Sequence, residues 1–273
     1  MFCSCCIKNN LLNIMDFISE PFFKDVCKYN NADITLPESK NGKIDILMMN
    51  HISFLDMLIS YYSAREKKSS FVAGHALKRI SGLDVYDKTV FEVEKGLSKE
   101  EVCTKFIEYI SKYEDLELIG LSPEGNILTR ENYEKSANYC MKNNIPVFKN
   151  VLYPRLVAFH GIISALRKTN KLGKIYVTTA YFPDETEMPT DHDTDSTFGK
   201  FSIMSLLLFR KIPKIYWKTD EREIKDDEDI DEWLINQFRE IDTNLEKLKN
   251  EKIKQIEQIK QIEQNTNNIN TKI

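Results

Sequence analysis

Apolar residues recur along this chain in short runs separated by stretches of helical spacing. Residues 43–49 (KIDILMM) are almost continuously apolar, which predicts a buried strand; beyond Asn50 and His51, the residues Leu55, Leu58, Ile59 and Tyr62 follow a helical pattern. The unit reads strand, turn, helix. Further strands are predicted at 71–73, 89–94, 116–121, 147–152 and 175–181. Ser98-Lys-Glu-Glu101 has the form of a capping box and opens a helix with Val102, Phe106 and Ile110 on one face, and residues 131–143 make a second helix. Strands alternating with helices predict an α/β fold, with a mostly parallel central sheet flanked by helices and a C-terminal helix.

The ends of the chain read differently from its middle. Residues 1–40 form an amphipathic N-terminal segment in which Leu11, Leu12, Met15, Ile18, Phe22 and Phe23 give one apolar side, interrupted at Pro21. Residues 41–218 are expected to be the main domain, with a polar, turn-rich loop at 183–199. An acidic run and a long helix follow over 219–263, and 264–273 read as a disordered tail. The isoleucines at 253, 256, 259 and 262 recur every three residues and so spiral around a helix, which argues against a coiled-coil seam.

Composition narrows the class. Apolar residues at 42% and charged residues at 29% are ordinary for a folded domain, and 273 residues are ample for a buried core. Net charge is −4, yet residues 220–232 hold nine carboxylates against two basic residues, and the remainder carries 36 basic against 33 acidic residues. That mildly basic body suits an anionic small substrate or a membrane surface, and it lacks the basic stripe of a nucleic-acid footprint. Cys3, Cys5 and Cys6 crowd at one end while Cys27, Cys103 and Cys140 are scattered, so no disulfide framework is expected and the environment reads as reducing and cytosolic. No apolar stretch reaches the ~18 residues of a membrane-spanning helix, and no signal-peptide pattern opens the chain.

Three segments carry candidate chemistry. The first is Asn50-His51-Ile-Ser53-Phe-Leu-Asp56, at a strand-to-helix turn. Five positions along one helix stand about 140° apart, so His51 and Asp56 can meet only if the helix begins near Ser53 and the turn folds His51 back. Asp56 would then fix the imidazole tautomer and leave the other nitrogen as a general base. The alternative is structural, because Ser53-x-x-Asp56 is itself a capping box. The second is Ser122-Pro123-Glu124-Gly125-Asn126, a strand-end loop able to bind phosphate with Arg130 nearby, or else an ordinary turn. The third is Asn150-Val-Leu-Tyr-Pro154-Arg155, read as a strand that ends in an Arg suited to bidentate anion recognition. His75 and His160 read as structural histidines, and His192 is a weak metal candidate, so no metal site is expected. A Gly-x-Ser-x-Gly elbow is missing, which disfavours a serine hydrolase.

Together these segments resemble the glycerolipid acyltransferases, which acylate glycerol 3-phosphate and lysophospholipids from acyl-CoA. That family carries Asn-His-x-Ser-x-x-Asp, matched at 50–56; Pro-Glu-Gly-Thr, matched at Pro123–Gly125 with Asn126 for Thr; and Leu-x-Pro-Arg, matched at Leu152–Arg155. Similarity extends over about 44–245 and is greatest to the lysophosphatidic acid and lysocardiolipin acyltransferase branch, through Phe159, Leu166-Arg167, 178–181 and Arg210–Pro213. Two features depart from it. An Arg expected after a short strand is replaced by Glu94 or Lys95, and the usual membrane-spanning segment is missing.

The resemblance implies His51 as general base and Asp56 as its orienting partner. Asn50, Ser53, Lys95, Glu124, Gly125, Asn126 and Arg155 would serve the acceptor. The implied partners are acyl-CoA as co-substrate, a lysophospholipid acceptor and a membrane surface contacted peripherally from its cytoplasmic side. No resident cofactor or nucleic acid is implied. Cys3, Cys5 and Cys6 beside residues 11–26 suggest S-acylation plus an interfacial helix, with metal binding as the rival. A catalytically inactive lipid- or partner-binding scaffold is the alternative from another class, and esterase or thioesterase action is the alternative within enzymes.

Overall fold

The computed structural model describes residues 36–39, 42–52, 66–74, 90–181 and 215–270, together with positions 56, 59, 60, 63 and 64; side chains are described as far as Glu251. The amphipathic segment at 11–26, the cysteines at 3, 5, 6 and 27, Ser53, His75, the 183–199 loop, His192 and Arg210–Pro213 lie outside the described residues.

Six strands form one sheet in the order β3-β2-β4-β1-β5-β6. They are β1 (Ile44–Met49), β2 (Ser69–Gly74), β3 (Val90–Val93), β4 (Leu118–Leu121), β5 (Leu172–Tyr181) and β6 (Tyr216–Arg222). All neighbouring pairs are parallel except β5 and β6, so the fold is α/β with a mostly parallel sheet. The helices are α1 (Lys99–Lys112), α2 (Arg130–Lys142), α3 (Leu156–Lys168) and α4 (Ile230–Asn270). Every residue of β1 is buried, as a central parallel strand covered on both faces requires.

One face carries the larger core. Ile46 and Met48 of β1 cluster there with Phe106 of α1, Phe159 and Leu166 of α3, and Trp233 and Phe238 of α4. The rings of Phe159 and Trp233 stack at 5.6 Å. The capping box of α1 forms: Glu101 N–H donates to Ser98 Oγ at 3.2 Å, and Ser98 N–H to Glu101 Oε2 at 2.7 Å. α1 and α3 approach closely because Gly161 leaves room, since a Cβ there would stand 2.6 Å from Val102 Cβ. On the opposite face a helical segment contains Asp56, Ile59 and Ser60, and Ser60 Oγ reaches Met49 Sδ at 2.6 Å.

Some expectations need correcting. Residues 147–152 are not a strand: they form a loop whose N–H groups go to side chains instead of a neighbouring strand. Arg155 therefore stands at the N-cap of α3, not at a strand end. β6 was not anticipated, and it crosses residue 218, the expected end of the main domain. α4 runs to Asn270, beyond the expected end at 263, because no Gly or Pro interrupts it. Trp233, Leu234, Phe238, Ile241 and Leu245 of that helix are buried in the main core. Among the described residues no helix is long and apolar enough to cross a membrane.

Candidate active site

Parallel strands release their connecting loops at one edge of the sheet, and β1 and β4 are neighbours there. His51 leaves β1, and Ser122 to Asn126 leave β4. The two loops are joined directly, with Leu128 N–H donating to His51 O at 2.8 Å and His51 N–H donating to Glu124 Oε2.

The turn after β1 brings His51 to the first helical turn. Residues 50–52 are non-helical and Asp56 is helical, and His51 Nδ1 lies 3.0 Å from Asp56 Oδ1. Asp56 Oδ2 accepts the Ile52 N–H at 2.7 Å, so one fully buried carboxylate both orients the imidazole and caps the turn. The His51 side chain keeps 12% of its surface exposed, with Nδ1 committed to Asp56. Burial works to lower the His51 pKa, but the charge and hydrogen bond of Asp56, with the charge of Glu124, outweigh it, and the net shift is upward.

Glu124 has a structural task. It is 2% exposed; Oε2 takes the His51 N–H and Oε1 takes the Leu152 N–H at 2.8 Å. Burial pushes its carboxyl up to about 8, against the two backbone donors that favour the charged form. Glu124 ties the His51 turn to the Arg155 loop. Asn50 is likewise engaged within the fold: fully buried, it donates from Nδ2 to Ala180 O at 2.9 Å and accepts the Ala180 N–H at 2.8 Å, fastening the end of β1 to β5.

Gly125, Asn126 and Arg155 form the exposed part. Gly125 adopts φ +64°, in the left-handed region, directly beneath the Arg155 side chain. With its amide oriented by its neighbours, Asn126 accepts from Arg155 Nη2 at 2.7 Å and donates to Gly125 O at 2.9 Å. Arg155 N–H donates to Pro123 O at 2.7 Å. α3 begins at this point with no side-chain cap and no acidic residue in its first turn, so its N-terminal amides and the guanidinium favour an anion together.

Lys95 is exposed after β3, an edge strand separated from β1 by β2 and β4, about 14 Å across at ordinary strand spacing. Glu94 is engaged by Lys105 Nζ at 3.1 Å. His160 has a partner, with Nδ1 2.7 Å from Asp231 Oδ1, as a structural histidine would. Sequence reading missed the side chains that hold the Arg155 loop, Ser136 and Asp242. Asp242 lies 92 positions from Asn150, so no local spacing could reveal it.

The chain is 24% identical over 160 residues to lysocardiolipin acyltransferase 1 of Danio rerio, covering 55% of this chain and 41% of that protein. It is 25% identical to the protein of the same name from Gallus gallus, covering 58% and 44%, and 25% identical to that from Mus musculus, covering 52% and 40%. The chain therefore spans about two fifths of the length of the curated relatives it matches. No family model matches it. With the α/β fold and the three motifs at one sheet edge, these similarities support an assignment to the glycerolipid acyltransferases.

Proposed function

We propose that this chain is an acyl-CoA-dependent O-acyltransferase that transfers a fatty acyl group to the glycerol hydroxyl of a lysophospholipid or lysophosphatidic acid. The observation that carries the reading is the 3.0 Å contact of His51 Nδ1 with the buried Asp56, beside an imidazole that is still reachable from solvent. His51 Nε2 takes the proton of the acceptor hydroxyl as that oxygen attacks the thioester carbonyl carbon. The tetrahedral intermediate collapses, the C–S bond breaks, and the imidazolium returns its proton to the departing sulfur. CoA leaves as its thiol and the new ester remains on the acceptor. Asp56 stabilises the imidazolium in between.

Arg155, Asn126 and the start of α3 would hold the anionic head group, supported by their shared exposed position and by the geometry of the guanidinium. The relatives are named for action on lysocardiolipin, which supports a lysophospholipid acceptor. Because such acceptors reside in bilayers, the chain would work at a membrane surface.

The test is CoA release from oleoyl-CoA by the purified protein and by His51→Ala, each with a panel of lysolipids in detergent micelles. Lipid-dependent release that disappears in the variant is expected. Release without any lysolipid would point to thioesterase action, and no His51-dependent release would favour a lipid-binding scaffold, the reading that the distant Lys95 supports.

A further inference from the structure

Residues 149–155 form no regular element, yet most of their N–H groups are bound, and from three different parts of the fold. Lys149 N–H donates to Asp242 Oδ1 and Oδ2 at 3.0 and 3.2 Å, and Asn150 N–H donates to Asp242 Oδ1 at 2.6 Å. Leu152 N–H goes to Glu124, Tyr153 N–H to Ser136 Oγ at 2.8 Å, and Arg155 N–H to Pro123 O. The buried Asn150 side chain adds a second set: Nδ2 donates to Asp242 O at 3.1 Å and Glu246 Oε2 at 3.2 Å, while Oδ1 accepts from Lys249 Nζ at 2.6 Å.

Asp242, Glu246 and Lys249 follow the i, i+4, i+7 spacing of one helix face, so α4 meets the start of this loop as a rigid edge. Two consecutive backbone amides converge on one carboxylate, and a neutral aliphatic side chain there would leave both without a partner. From Asn150 to Arg155 the segment is short: Val151 and Leu152 are buried, and Pro154 has a fixed φ. Asp242 thus fixes the entry of the segment while Glu124, Ser136 and Pro123 fix its exit, and the direction of the guanidinium is set by the two together.

We infer that Asp242 is a positioning residue, which fixes the 149–155 loop from the C-terminal helix and so aims Arg155 at the acceptor. The inference rests on the reading of Arg155 as head-group anchor, but its structural half is testable without activity.

The experiment compares the full chain with Asp242→Ala and Asp242→Asn by amide hydrogen exchange, and by steady-state kinetics with oleoyl-CoA and a lysolipid. In Asp242→Ala, exchange is expected to quicken about tenfold or more throughout 149–155 while α1 and β4 keep their protection. The acceptor KM should rise about tenfold with kcat held within about twofold. Asp242→Asn keeps an acceptor oxygen for the Asn150 N–H and should recover most of both. Faster exchange confined to 149 and 150, or an acceptor KM unmoved by Asp242→Ala but raised by Arg155→Ala, overturns the inference. If Arg155→Ala leaves that KM unchanged, the anchor reading fails instead, and exchange at 152–155 alone decides whether Asp242 sets the loop.

Discussion

Gly125 and Arg155 are shaped around each other: a Cβ added to Gly125 would stand 3.0 Å from Arg155 Cδ and 3.1 Å from its Nε. Since Gly125 also holds φ +64°, Gly125→Ala meets two penalties at once. The backbone term alone costs roughly 1–2 kcal/mol for an L-residue, and the displaced guanidinium should raise the acceptor KM while the acyl-CoA KM stays unchanged. Denaturant unfolding together with two-substrate kinetics checks both parts.

Replacement of His51 by Ala removes the base and should lower kcat/KM by about 10² to 10⁴. The unprotonated imidazole is the working form, so kcat/KM should rise with pH through a pKa above the ordinary 6.5. Asp56 is one source of that upward shift. In Asp56→Asn the limb should move to lower pH even as the rate falls, and a pH–rate profile of both proteins measures it. A limb that stays in place would show that another group titrates.

Glu124 gives stability an unusual pH dependence. Its carboxyl is raised from 4.5 to about 8 in the folded protein, so between those values the folded state holds a proton that the unfolded chain has released. The contribution is complete below the lower value and is lost as pH climbs toward the upper one. Glu124→Gln should therefore flatten the fall in urea midpoint between about pH 5 and about pH 8, although it loses one backbone acceptor. Parallel slopes for the two proteins would contradict this.

At the other end of β1, Lys67 Nζ lies 3.1 Å from Asp45 Oδ2, and both side chains are buried. Ser39 Oγ and Lys174 N–H complete the carboxylate's partners at 2.6 and 2.8 Å. Asp45→Ala strands a buried ammonium and should cost about 3–5 kcal/mol. Pairing it with Lys67→Met should restore much of that loss. Because this pair lies about 20 Å along β1 from His51, activity per folded molecule should not change, which thermal melts and initial rates can establish together.

Legibility followed the range of the forces involved. Alternating apolar runs and helical spacings were enough for the parallel sheet, because burial on both faces writes itself into a strand such as 44–49. The capping box at Ser98 was readable because both of its hydrogen bonds close within three residues. The stretch 147–152 misled because Phe148, Val151 and Leu152 are buried, as a strand's apolar residues would be, while its amides are claimed by Asp242 and Glu124.

The sequence by itself determined the α/β class and the order of the three motifs, and it allowed the meeting of His51 with Asp56, since these depend on local periodicity and a five-residue turn. Only the tertiary structure decided that Asn50 and Glu124 are buried fasteners, that two strands stand between β1 and the strand preceding Lys95, and that the C-terminal helix grips the loop bearing Arg155. Those outcomes come from strand order and from hydrogen bonds between residues up to 130 positions apart, and a buried polar group takes whichever partner the packed chain brings to it.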